Sequence, residues 1–118
     1  MILVDTSVWV DHLRAGNRAL VSLLQGEEVL THPFIIGELA CGRMCNRRRI
    51  LGLLGTLPSA SVAGHDEVLS LMDGHRLFGR GIGWIDAHLL ASALLSHARL
   101  MTLDRRLSNL AAVLEISG

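Results

Sequence analysis

Met1-Ile2-Leu3-Val4-Asp5-Thr6-Ser7 opens the chain, and its reading decides the fold. Ile2, Leu3 and Val4 are bulky and apolar with no polar alternation, the pattern of a strand buried on both faces in the middle of a parallel sheet. The strand runs straight into a carboxylate, Asp5. Thr6 and Ser7 then favour the start of a helix, in which Trp9, Val10 and Leu13 share an inward face. Asp5 is therefore expected at the carboxyl end of a central strand, where the loops of an open α/β sheet converge and ligands bind.

Working outward, Arg18 to Gln25 reads as a short second helix after a turn at Gly16-Asn17. Val29-Leu30-Thr31-His32 reads as a second strand, and Pro33 opens a helix from about Phe34 to Cys41 that carries Glu38. Asn46 is a plausible cap for a helix over Ile50 to Leu57, and Pro58 ends it. Ser59 to Ala63 is a weak third strand, followed by a helix from Gly64 to Leu77. Phe78-Gly79-Arg80-Gly81-Ile82-Gly83 is a loop, and Trp84-Ile85-Asp86 begins the longest apolar helix, Ala87 to Ala98. Arg99 to Leu103 is a fourth strand that ends at Asp104. A short helical turn, Arg105 to Leu110, and a possible edge strand, Val113 to Ile116, complete the chain. Strands alternating with helices predict a three-layer α/β/α domain with a four- or five-stranded parallel sheet and right-handed crossovers.

The chain has 118 residues, enough for one domain with a real core. Half of the residues are hydrophobic, so an apolar patch covered by another chain is expected. No apolar run approaches the roughly 20 residues that cross a bilayer, and the N-terminus lacks the features of a secretory signal. No membrane association and a cytoplasmic location are the default expectation. Cys41 and Cys45 have no second pair to complete a zinc site and read as free thiols. Eleven basic residues balance eleven acidic ones, and every one of the eleven is Arg. Arg binds phosphate through a planar fork, so this set is compatible with a phosphodiester ligand.

Four acids fall at sheet-edge positions: Asp5 and Asp104 after strands, Glu38 in the helix after the second strand, and Asp86 at the start of the long helix. Asp86 reaches that edge only if the glycine-rich loop before it climbs back. Four carboxylates in a half-buried cleft raise one another's pKa, a penalty that a divalent cation removes. An all-oxygen donor set selects Mg²⁺ or Mn²⁺, which retain waters and accept phosphate oxygens. The chemistry such a site suits is hydrolysis of a phosphodiester by an activated water. Thr102, on the same side of its strand as Asp104, is placed to orient that carboxylate, and Thr6 or Ser7 to hold a water. Arg47, Arg48 and Arg49 form a basic run that is a solvated helix start or a contact for RNA or a partner.

Val4 to Trp9, Ile36-Gly37-Glu38-Leu39, Gly83 to Ala93 and Leu100-Met101-Thr102-Leu103-Asp104 together resemble the motif segments of the PIN domain. In order and spacing the chain is similar to the VapC toxins of bacterial type II toxin–antitoxin pairs. The resemblance implies a Mg²⁺- or Mn²⁺-dependent ribonuclease in which Asp5, Glu38, Asp86 and Asp104 are the acidic quartet. It also implies that Thr6 and Thr102 occupy the family's hydroxyl positions. A homodimer is implied, with a cognate VapB antitoxin whose C-terminal segment wraps the toxin and blocks the acids.

The rival is a PIN-like module that binds RNA or a partner without cutting. A phospho-accepting receiver is excluded because no Lys exists, and a haloacid-dehalogenase-type phosphatase because position 7 is Ser rather than Asp. Gly79 to Gly83 follows a helix and lacks nucleotide-loop spacing. His88 lies about 200° around the helix from Asp86, which argues against a ligand role.

Overall fold

The computed structural model describes residues 1–118. Three parallel strands form the sheet, in the order β2-β1-β3, with β1 (Ile2–Val4) between β2 (Val29–Leu30) and β3 (Arg99–Met101). The register pairs Leu3 with Leu30 on one side and with Leu100 on the other. Leu3 and Val4 are fully buried, as a strand covered on both faces requires.

The helices are α1 (Thr6–Ala15), α2 (Arg18–Gln25), α3 (Pro33–Cys41), α4 (Arg47–Leu54), α5 (His65–Gly74), α6 (Trp84–Leu95) and α7 (Arg105–Val113). Helix α6 packs on β1 and β3 and also carries α5, while α7 packs on β3 and α1 on α3. Residues Ala87 to Ala93 of α6 are all buried, which accounts for a helix that is apolar nearly all round.

The third and fifth expected strands are reduced to single bridges, Thr31 with Ser59 and Leu100 with Ser117, both parallel. In the first case α6 supplies the reason. Ser96 Oγ accepts from the Ser61 N–H at 2.8 Å and Ser92 Oγ from the Ala63 N–H at 3.3 Å, so helix hydroxyls take the donors that a longer ladder would use. At the C-terminus, α7 runs three residues past Leu110 and absorbs Val113, so the pairing falls on Ser117 instead. Helix α4 begins at Arg47 rather than Ile50. Asn46 does not cap it with its side chain but adopts the left-handed region at φ 56°, which Asn tolerates well.

Only part of the expected inward face of α1 is inward. Trp9 is buried, but Val10 and Leu13 are exposed and line a groove of about 330 Å³ with Arg14, Glu38, Leu39 and Met44. No helix is long and apolar enough to cross a membrane.

His32 is fully buried and joins three segments. Its Nδ1 accepts the Phe34 N–H at 3.0 Å and caps α3, which leaves Nε2 to carry the proton and donate to Ser92 Oγ at 3.1 Å. Burial, reinforced by His88, holds the His32 pKa below its ordinary value, consistent with a neutral ring. Replacing Ser92 with Ala leaves the His32 Nε2–H and the Ala63 N–H without acceptors. The expected loss is about 1–3 kcal/mol, read as a Tm lower by roughly 3–10 °C in thermal unfolding. An unchanged Tm would show that these donors find other partners.

Candidate active site

The Asp5 N–H donates to the Met101 carbonyl at 2.9 Å, so the β1–β3 ladder extends into the loops and sets Asp5 beside the end of β3. Asp5 is buried at 6% exposure, an expensive place for a carboxylate unless it is hydrogen-bonded. Ser7 Oγ and Thr102 Oγ1 each donate to Asp5 Oδ2 at 2.7 Å. Ser7 Oγ also accepts the Leu103 N–H at 3.0 Å, tying α1 to the loop after β3. Both hydroxyls fall on Oδ2, and Oδ1 has no hydrogen bond.

The other acids repeat this arrangement. Thr6 Oγ1 donates to Glu38 Oε1 at 2.9 Å and leaves Oε2 free. Asp104 Oδ1 accepts the Arg106 and Leu107 N–H groups at 2.9 and 3.2 Å, capping α7, and leaves Oδ2 free. Each of these three carboxylates therefore has one oxygen fixed by the protein and one available. Two expectations change in the process. Thr102 orients Asp5 rather than the Asp104 carboxylate, because its hydroxyl accepts the Asp104 backbone N–H at 3.0 Å while donating to Asp5. Thr6 and Ser7 hold carboxylates rather than standing free for a water.

Asp86 is the half-buried member. Its carboxyl pKa is raised, first by burial and then by the negative charges of Asp5, Asp104 and Glu38, against a smaller opposing contribution from the Gly83 N–H. The repulsion from all three other acids places the four within one electrostatic neighbourhood. The loop before α6 makes this possible. Gly79 and Gly81 both have positive φ, 75° and 76°, and the chain turns through them to bring α6 in at the sheet edge.

No group of three or more His, Cys, Asp or Glu side chains is gathered closely enough to hold a metal ion by itself. The donors that Asp5, Glu38, Asp86 and Asp104 offer are all carboxylate oxygens, the chemistry of a hard divalent cation that keeps waters of its own. Glu38 is exposed at the rim, beside the apolar groove under α1. Its side of α3 faces that groove rather than the core.

Arg47 serves the backbone, donating from Nε and Nη2 to the Ala40 carbonyl at 3.2 and 2.8 Å, while Arg48 and Arg49 are exposed on α4. Cys41 and Cys45 are free and exposed. His88 is buried between Phe34 and Trp84, each ring 4.8 Å away, and burial lowers its pKa. Sequence reading missed the bonds of Thr102 and Ser7 to Asp5. The signal was the parallel pairing of the first and fourth predicted strands, which puts positions 5 and 102 side by side.

A PIN-domain family model matches residues 2–113. Ribonuclease VapC32 of Mycobacterium tuberculosis is 53% identical over 108 residues, covering 91% of this chain and 87% of that protein, in strain H37Rv and equally in strain CDC 1551. The crystal structure of PAE2754 from Pyrobaculum aerophilum superposes with a TM-score of 0.61 over 98% of this chain and 88% of that one. At 19% identity, that likeness speaks for the fold alone. With the domain model matched from β1 through α7 and the VapC32 likeness spanning nine-tenths of its length, the chain belongs to the PIN-domain family and, within it, to the VapC type.

Proposed function

We propose that this chain is the toxin of a toxin–antitoxin pair, an endoribonuclease that hydrolyses RNA phosphodiesters with Mg²⁺ or Mn²⁺ held by Asp5, Glu38, Asp86 and Asp104. The observation that carries the reading is the shared build of Asp5, Glu38 and Asp104, each pinned by one oxygen and open at the other. A purely structural acid has no reason to stay half-bonded beside three like charges.

When bound, the ion supplies charge neutralisation at the phosphate and a lowered pKa for an attacking water. The protein's part is preorganisation. Ser7 and Thr102 fix Asp5, the first turn of α7 fixes Asp104, and Thr6 fixes Glu38, so little reorders on binding. Asp86 retains a raised pKa and is the acid most relieved by a cation.

A VapB antitoxin is the proposed partner. The apolar groove that ends at Glu38, with Arg14 and Arg43 at its rim, supports a bound segment reaching the acids. A homodimer is supported by exposed apolar residues such as Leu53, Val62 and Val113.

Asp86→Asn is expected to lower RNA cleavage at least about 100-fold, since even the groups that only orient a ligand are worth 10–100-fold. Cleavage that survives this change, or a chelator, would contradict the reading. Thr102→Val, which frees Asp5 Oδ2 from one donor, is expected to cost about 10-fold or more in cleavage and to weaken Mn²⁺ binding measured by calorimetry.

The pH dependence of stability has a definite sign. A raised Asp86 pKa means that the folded state holds the proton more tightly, so stability is lost as pH rises through the aspartate range. In chelator at neutral pH, Asp86→Asn should therefore melt above the wild type, with the gap closing on acidification towards pH of about 4. Mg²⁺ should raise the wild-type Tm more than that of the variant. A variant that melts below the wild type at neutral pH would refute the repulsion.

A further inference from the structure

Phe and Trp together number four, and Tyr is absent. Trp9 is buried, and Phe34 packs between His32 and His88. The other two, Phe78 at 59% and Trp84 at 39% exposure, stand at either end of the glycine loop that leads into α6.

Trp84 is not a loose side chain. Its ring stands edge-on to His88, with centroids 4.8 Å apart and planes at 86°, and leans on His65 at 5.0 Å and 52°. Gly83, the preceding residue, lies against the Asp86 carboxylate: a Cβ built on it would be 3.9 Å from Oδ2. Across the loop, Arg106 lies over Gly81, where a Cβ would come within 3.0 Å of Nη1. Arg106 sits in the first turn of α7, two residues after Asp104. The loop thus runs between the aromatic ring that opens α6, on the His65 and His88 side of that helix rather than the Asp86 side, and a guanidinium in the first turn of α7.

We propose that Trp84 stacks on the base of a nucleotide flanking the scissile phosphate, while Arg106 binds a phosphate of the same strand. The proposal rests on the nuclease reading and names the contacts through which that site takes hold of RNA. A need for such contacts follows from charge. The chain has no net charge to attract a polyanion, and its cleft is acidic. Local contacts must supply the affinity, and a stacked base contributes about 1–3 kcal/mol, or roughly 5- to 150-fold in binding. A ring already held by two imidazoles loses little freedom on stacking, and an Arg against a glycine loop has a short reach to a phosphate. Stacking on Trp84 requires a base that is not paired or stacked within its own strand, so the contact selects unpaired positions.

The test uses the full chain carrying Asp86→Asn, so that the probe stays intact whatever its fate with the wild type. The probe is a short fluorescein-labelled single-stranded oligoadenylate, with the same sequence in a duplex as comparison. Single strand is expected to quench the fluorescence of the exposed tryptophan, and duplex is not. Trp84→Phe should abolish the quenching while keeping Kd within about threefold, and Trp84→Ala should raise Kd about 10-fold or more. Arg106→Gln should reduce the slope of log Kd against log salt by about one.

Quenching that survives Trp84→Phe, an unchanged Kd in Trp84→Ala, or a changed oligomeric state in Trp84→Ala would overturn the proposal, the last by placing the ring between copies. If Trp84→Ala fails to fold, the quenching and its loss in Trp84→Phe decide the matter. Metal-dependent RNA cleavage by the wild type is scored separately, so a failed nuclease reading and a failed stacking contact give different results.

Discussion

Mutual repulsion among four carboxylates at one edge of the sheet is the constraint on which the rest of the structure depends. Asp5 is buried, and Asp86 is half-buried with a pKa raised first by burial and then by the charges of the other three. A fold selected for stability alone would separate such groups or pair them with Arg, of which the chain has eleven. Instead the protein offsets the penalty with hydroxyls and backbone N–H groups, which stabilise each carboxylate without neutralising it. On the proposed reading, the retained charge serves a bound cation.

The fold shows how this is held. The β1–β3 pairing fixes the separation of Asp5 from Thr102, and the hydroxyls of Ser7 and Thr102 complete the coordination of Asp5 Oδ2. Asp104 meets the same need through the N-terminus of α7, where two backbone donors and the helix dipole favour a negative group. Glu38, at the exposed rim, depends on a single bond from Thr6. The acids thus grade from buried and doubly hydrogen-bonded at Asp5 to exposed and singly bonded at Glu38. An apolar groove begins at the Glu38 end, and Gly83 lies against the Asp86 carboxylate at the start of α6.

Much of this was legible in the chain because its signals are short-range. Ile2-Leu3-Val4 followed by Asp5 announces a central strand and its carboxyl edge, and Pro33 and Gly83 mark helix starts within a residue or two. Elements held by tertiary partners were not legible. Ser59 to Ala63 has the composition of a weak strand, but hydroxyls of α6 and its C-cap, 29 and 35 residues away in sequence, take the N–H groups of Ala63 and Ser61. Val10 and Leu13 have helical spacing for a core face. Nothing local reveals that α3 leaves a groove there instead of closing over it. Thr102 reads from the sequence as a supporting hydroxyl for the nearer acid. Sequence spacing favoured Asp104, whereas strand pairing delivers it to Asp5. The position of His32 just before Pro33 marks the entry to α3, where it caps the helix, but nothing local reveals its bond to Ser92, sixty residues later.

The central claim is that the four carboxylates form one binding site for one kind of hard cation. The most direct test is crystallographic: crystals grown with Mn²⁺ in place of Mg²⁺, with anomalous differences recorded at the manganese edge. The account expects a peak enclosed by Asp5, Asp86 and Asp104 on the Glu38 side of the sheet edge, lying against the oxygens that the protein leaves unbonded. A map without a peak there at saturating Mn²⁺, or with manganese bound only elsewhere on the surface, would contradict it.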